Sequence, residues 1–560
     1  MADLYSLQST LAPQDPQFVF SEKQVIYVPD SNNGSFPSGV VSFDLTSLAN
    51  QSKWLDLQQS FISIPLVMQL KSTAGAFSTA NVENAFAMSL KNHVFQLLHS
   101  MSLEIGNNSV VNLTNFANID INYKILNSFS EDDVKNLGPS ILFGGLDSAE
   151  SVNYQGADAP NGLGECNNTI KEAVFTSAGG YGTTSYTQNK GRAERMKFTS
   201  FNPAATEVAH FKSAQQCNVS GKNYCTVSTS AITYYVTANL PCKFLHDIFN
   251  KLPLTKGMYM RLILNLNTQA QIVLTTNATN YQARVSVNSP HNVIPFQLSP
   301  IASGDGFVAT GSTQLTADIG IGKSYDGTVS HPSGNSCRFY ATVFEASPAY
   351  EERILQTLPV KQVHYDDILS FEIKGVNSGE SVSRILSNGI SRARYMIIQP
   401  LLSGSMNGSA TIGGQTTFSA GHVMNSPMNS PFSSAPGTCL PYGGGAVSSF
   451  NVLISGSNLY QANIDYGWQE FLTEVRGSKG LNGGLSTGLS SGLIGQSEWE
   501  NGYGWVYADL SRKVSQASDD VSRSYQVLFT NNSNVQCDYI IIIGYEREIG
   551  ISLANGSLVV

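Results

Sequence analysis

Residues 54–70 read WLDLQQSFISIPLVMQL, a run of aliphatic, β-branched and aromatic side chains that predicts a strand. Runs of the same kind follow at 231–240, 258–266, 338–345, 368–373, 395–400, 525–530 and 538–545, each short and bounded by Gly, Asn, Ser or Pro. Helical spacing is confined to 83–98, 120–129, 244–251 and 466–475, the last with Asp465 placed to cap it from the N-terminal side. Strands with a few connecting helices, spread over 560 residues, predict sandwiches or barrels and exclude a βαβ protein.

The segment 289–306, with Pro290, Pro295 and Pro300, has linker composition and divides the chain into halves that each suit one elaborated β-sandwich. Segments 153–190, 403–447 and 477–497 have turn composition without periodicity, which is typical of functional or interaction loops. An internal echo relates the halves. A strand at 103 leads to Ala117-Asn118-Ile119-Asp120 and a helix, and a strand at 452 leads to Ala462-Asn463-Ile464-Asp465 and a helix.

Composition narrows the function. Hydrophobic residues make up 41% of the chain and aromatics 10%, enough to bury cores, so disorder is excluded. Only 13% of residues are charged, against about 25% in average soluble domains, so the surface is built from neutral polar groups that suit close subunit packing. The seven cysteines (166, 217, 225, 242, 337, 439 and 537) lack CxxC or zinc spacing and read as reduced thiols. The first residues lack the basic and apolar regions of a signal peptide, and no apolar run approaches the roughly 20 residues of a membrane span. A chain made inside a cell is the expectation.

Catalytic signatures are weak. Gly484-Leu485-Ser486-Thr487-Gly488 and Gly488-Leu489-Ser490-Ser491-Gly492 match the nucleophile elbow, but they sit in a Gly/Ser tract without the strand-to-helix turn the elbow needs. Gly322-Lys323-Ser324 lacks the first glycine of a phosphate-binding loop, a position held by Ala317. His93 and His99 fall on different helix faces, and His364-Tyr365-Asp366-Asp367 fits a solvated turn as well as a ligand set. Carboxylate pairs such as Glu351-Glu352 are adjacent in sequence, which says nothing about opposed acid–base geometry. Nucleic-acid binding needs clustered Lys and Arg, and the first 50 residues hold only Lys23. No enzyme, cofactor, metal site or sequence-specific nucleic-acid binding is expected.

Several segments carry a resemblance. Trp54-Leu55-Asp56-Leu57 with residues 60–65, Asn189-Lys190-Gly191 with Arg195, and Phe244-Leu245-His246-Asp247-Ile248-Phe249 running on to Met260-Arg261-Leu262 lie in the first half. Residues 381–400 ending Gln399-Pro400, Ser430-Pro431-Phe432, Pro436-Gly437-Thr438, Asp465-Tyr466 leading to Phe471, and Val506-Tyr507-Ala508-Asp509-Leu510-Ser511-Arg512 lie in the second. In order and spacing these resemble the double jelly-roll major capsid proteins of the adenovirus-hexon lineage, of virophage, Polinton-like virus and Polinton type.

The resemblance implies an all-β chain of two consecutive eight-stranded jelly rolls, with rolls at 21–288 and 307–552, an N-terminal segment 1–20, the linker 289–306 and a tail 553–560. It implies a major capsid protein that forms homotrimeric, pseudo-hexagonal capsomers of an icosahedral virion around double-stranded DNA. Penton and minor or cement proteins are then the partners. Structural roles are expected for Asp509 and Arg512 (polar pairing, with Ser511 in the same motif), Trp54 and Trp468 (packing), Asp56 in the early strand and Asp465 (capping). Competing classes are a secreted or surface glycan-binding β-sandwich and a serine hydrolase using Ser486 or Ser490.

Overall fold

The computed structural model describes residues 20–49, 53–72, 88–113, 115–146, 225–227, 231–277, 280–286, 294–298, 313–357, 359–402, 411–412, 415–416, 447–477, 492–501, 503–513, 521–533, 536–553 and 555–559. Loop 153–190 and most of 403–447 and 477–497 lie outside this set, as do Ser486, Ser490 and three of the cysteines (166, 217 and 439). Cys242, Cys337 and Cys537 are buried free thiols.

The first roll is built around eight strands, with further strands added to its larger sheet: β1 (Phe20–Pro29), β2 (Val40–Asp44), β3 (Trp54–Ser72), β4 (Leu98–Ile105), β5 (Asn108–Leu113), β6 (Ala231–Pro241), β7 (Met260–Leu266) and β8 (Arg338–Ala346). One sheet runs β1-β8-β3-β6 and the other β2-β7-β4-β5, all antiparallel. The second roll repeats this with β9 (Val360–Val376), β10 (Ser381–Ile390), β11 (Ala393–Leu402), β12 (Val447–Ile454), β13 (Ser457–Asn458), β14 (Val506–Asp509), β15 (Arg523–Asn531) and β16 (Cys537–Ser552). Its sheets run β9-β16-β11-β14 and β10-β15-β12-β13. In both rolls the strands, counted in chain order, fall into sheets 1-8-3-6 and 2-7-4-5, a jelly-roll order with two Greek keys.

Alternation along the strands makes the cores. Along β7, Met260, Leu262, Leu264 and Leu266 are buried while the residues between them are not; along β15, Tyr525, Val527 and Phe529 do the same. Each such side chain fully removed from water contributes about 1.5–3 kcal/mol. The centre of the second roll departs from alternation, because every residue from Cys537 to Gly544 in β16 is buried, as in a strand covered on both faces.

The division of the chain differs from the expected one. β8, the closing strand of the first roll, lies beyond residue 306, and Thr313–Ile321 also belongs to that roll's sheet, pairing with β3 and with Ala270–Asn277. Within 289–306, Phe296–Leu298 pairs with Met88–Leu90. The rolls are instead joined through the helix Pro348–Thr357, which sequence spacing did not single out. Composition alone does not tell a proline-rich segment inside a roll from one between rolls.

Helix prediction also needs one correction. Over the described part of 83–98, the chain forms the strand Met88–Leu90 and a 3₁₀ turn at Val94–Leu97, whose N-terminal His93 accepts the Phe95 N–H at Nδ1. Residues 88–99 are buried on all sides, so their apolar spacing does not define one helical face. The other expected helices fall close to prediction, with α1 at Ala117–Ser128, a pair of short turns at Cys242–Leu245 and Ile248–Lys251, and α3 at Trp468–Gly477; Pro348–Thr357, not expected, is α2. α1 follows β5 and α3 follows β13, so the sequence echo lies at equivalent places in the two rolls.

Candidate functional site at the seam between the rolls

Each residue given a structural role by the sequence has a defined place. Trp54 starts β3 and packs with Ala346 and Leu553 beneath α2 residues Ile354 and Leu355. Asp56 is buried and accepts the Gln58 N–H at 3.0 Å and the Gln59 amide at 2.6 Å, which holds the bulged start of β3. Trp468 packs against Phe471 and Trp499, with ring centroids 5.5 and 6.3 Å away. Asp465 accepts the Ser449 N–H at 3.2 Å, and the Gly467 N–H at the start of α3 goes to Glu470 instead at 3.0 Å. The cap expected of Asp465 is therefore supplied from within the helix.

Asp509, Ser511 and Arg512 do meet, around a residue the sequence reading missed. Asp509 Oδ1 accepts from the Ser511 N–H and hydroxyl at 3.0 and 2.6 Å. Arg512 donates to the carboxylate of Glu474 on α3 at 2.9 Å and lies 5.3 Å from the centre of the Tyr460 ring, while its contact with Asp509 is to the backbone carbonyl. The same Glu474 carboxylate accepts the Asp509 N–H at 2.9 Å, so it ties α3 to the end of β14. Burial raises the Glu474 pKa above the usual carboxylate value, against the lowering effect of the Asp509 N–H and Arg512.

A dense polar arrangement lies between the rolls. α1 is buried along nearly its whole length. One side carries Asn122, whose amide bonds Gln96 and Asn92 in the first roll. The other side meets the second roll, where Tyr395 of β11 donates to Asp120 at 2.9 Å and Tyr123 lies 4.2 Å from the Trp505 ring. Lys124 pairs with Asp120 at 2.7 Å and lies beneath the Tyr395 ring. At the edge strand β5, the Val110 carbonyl accepts from both the Tyr365 hydroxyl and Arg547, each at 2.7 Å.

A second line of contacts runs through the turn at 246–247. Asp247 accepts the Asp366 N–H at 3.1 Å, and His246 Nε2 lies 3.4 Å from Asp367 Oδ1. Because His246 Nδ1 accepts the Ile248 N–H, Nε2 carries the ring proton and faces the carboxylate. Asp367 also receives Arg547 at 3.0 Å and the Tyr545 hydroxyl at 3.2 Å. Burial disfavours its ionisation, but His246, Arg547 and the Ile368 N–H outweigh burial and hold its pKa below the usual value. Asp366 has the opposite outcome, since burial outweighs Arg394 and Lys124. Arg392, Arg394, His364, Glu546 and Glu548 continue the network outward.

His364-Tyr365-Asp366-Asp367 is thus part of strand β9 and of the seam, not a solvated turn. Gly322-Lys323-Ser324 forms a tight turn after Thr313–Ile321, with Gly322 at φ +66° and Lys323 bridged to Ser330. Among the described residues, no group of three or more His, Cys, Asp or Glu is arranged to hold a metal ion, and no helix is long and apolar enough to cross a membrane.

No protein-family model and no curated protein matches the sequence. Among solved structures, the chain is similar to one from the cryo-EM structure of the Sputnik virophage, with a TM-score of 0.52 and 12% identity, covering 98% of this chain and 90% of that chain. Matches to the Faustovirus major capsid protein (TM-score 0.44, 10% identity, 98% and 96% covered) and the mavirus major capsid protein (0.41, 10%, 98% and 92%) are weaker. The twice-repeated strand order and the virophage likeness over nearly the whole chain establish the fold as a double jelly roll.

Proposed function

We propose that the chain is a major capsid protein whose trimers form pseudo-hexagonal capsomers of an icosahedral shell around double-stranded DNA. The observation that carries this reading is the pairing, in one chain, of two jelly rolls with the same strand order, locked by a buried polar seam. Two like rolls per chain, three chains around an axis, give six similar units for a hexagonal lattice. The virophage likeness, which shows only the fold, agrees with this use. Lattice contacts then belong to the neutral, partly apolar surface: Val25 and Tyr27 on β1, Tyr259, and Ile385 on β10 are each more than half exposed. Penton and minor proteins would complete the virion around it.

Native mass spectrometry of the purified chain at low micromolar concentration tests the reading. A dilution-resistant species at three times the 60.3 kDa chain mass is the expected result. A stable monomer that binds defined sugars on a glycan array would replace this reading with the glycan-binding one.

A further inference from the structure

Lys71, Asp318 and Asp326 form a cluster apart from the seam, on the sheet of the first roll and the turn beside it. Lys71 Nζ lies 2.5 Å from Asp326 Oδ2 and 3.6 Å from Asp318 Oδ2. Asp318 stands on Thr313–Ile321, two residues from the partner of Lys71 in the strand pair, so both side chains share one face. Its carboxyl is fully buried, and neither oxygen has a hydrogen-bond donor in good geometry, the Tyr325 N–H only approaching it. Directly opposite, Gln69 gives its amide N–H to Thr233 and leaves Oε1 without a donor. A proton on Asp318 would satisfy two facing acceptors at once.

The two acids are electronically opposite. Burial outweighs the Lys71 charge and pushes Asp318 up to about 6. Asp326, which is exposed, accepts from Lys71, from the Ser324 and Thr328 hydroxyls and from the Thr328 N–H, which keep it ionised. A neutral buried carboxyl is an electrophile, the ionised Asp326 holds the amine by charge, and the amine sits between the two.

We propose that Lys71 and Asp318 condense to an intramolecular isopeptide bond, with Asp326 holding the amine in place. The part-exposed Lys71 ammonium gives one proton to solvent, and the freed amine attacks Cγ of the neutral Asp318 carboxyl. A C–N bond forms and the C–OH bond breaks. The hydroxyl leaves as water with a second proton from the nitrogen. The proton given to solvent balances the one that Asp318 took from it. The product is a secondary amide that staples β3, the strand at the middle of its sheet, to its neighbour.

Intact mass of the purified full-length chain under denaturing conditions tests this. The wild-type chain should be lighter than its sequence mass by one water, and a tryptic map should show a branched peptide joining the Lys71 and Asp318 segments, with cleavage after Lys71 lost. Lys71→Arg and Asp318→Ala should have the full sequence mass, and Asp326→Asn should condense slowly or not at all. Wild-type chain at full mass, with Lys71 still cleaved after prolonged incubation in native buffer, would overturn the proposal. So would a water loss that maps, unbranched, to a succinimide at Asp326-Gly327.

Discussion

Glu474 illustrates how one buried carboxylate can hold two elements together at a cost. It accepts from the Asp509 N–H and from Arg512, yet burial still raises its pKa. An acid with a raised folded pKa binds its proton more tightly when folded, so the stability that protonation provides is lost as pH rises through that pKa. Arg512→Ala removes a cation that lowers the Glu474 pKa, so the destabilisation should grow with pH. We expect about 1–2 kcal/mol at pH 8, a value reduced from that of a fully buried pair because the Arg512 side chain is 44% exposed, and a smaller loss at pH 5. In a Glu474→Gln background the pH dependence of Arg512→Ala should vanish, as measured by urea unfolding at the two pH values. An equal loss at both pH values in the wild-type background would show that Arg512 acts through packing on Tyr460 instead. The Asp-Leu-Ser-Arg motif was legible in the sequence, but Glu474 was not, because it lies on another element and nothing local marks it. Asp465 failed for a related reason: a capping residue was read from spacing alone, and Glu470 competes for the same N–H.

At the scale of elements, β16 and β11 show what limits a double-buried sheet. Gly544 lies opposite Tyr395, and a Cβ there would overlap the Tyr395 ring. That ring cannot easily move, since it is fully buried and its hydroxyl is held by Asp120 of α1 in the other roll. Gly544→Ala should therefore destabilise the protein by about 3 kcal/mol, the upper part of the range for overpacking. In a Tyr395→Ala background the cost of Gly544→Ala should be smaller, and the double-mutant coupling in denaturant unfolding measures by how much. A single-mutant change below about 1 kcal/mol would mean that the seam yields at this point. Strands of this kind were well marked in the sequence, with 395–400 and 538–545 falling inside β11 and β16. The described part of 83–98, buried throughout, was not, because apolar spacing distinguishes helix from strand only where one face meets water. His364 to Asp367 misled in the other direction: four polar residues looked like a turn, whereas their partners lie across the seam, far away in sequence.

The molecule as a whole should unfold as one unit, although its two rolls are built alike. Tyr365 and Arg547 close on Val110, Tyr395 on Asp120, and His246 and Asp247 on Asp367 and Asp366, so neither roll can open without stranding buried polar groups of the other. The sequence echo hinted at two like halves, but not at this dependence, because a seam is made of pairs that no local pattern shows. Asp367 and Glu546 set the acid limit. Burial opposes ionisation of both, but cationic partners win and hold their pKa values below the usual ones. A lowered folded pKa adds stability that is fully present above the unfolded pKa and lost as pH falls through the folded one. These two groups therefore add no pH dependence from pH 8 down to about 5, and their contribution falls away below the ordinary carboxylate range. Asp367→Asn leaves Arg547 and His246 without their carboxylate and should cost about 3 kcal/mol at pH 7, with a shallower loss at low pH than wild type. Calorimetry of the full chain, wild type and Asp367→Asn, over this pH range checks both points. Two separated transitions in the wild-type chain at neutral pH would show that the rolls are independent and that the seam merely aligns them.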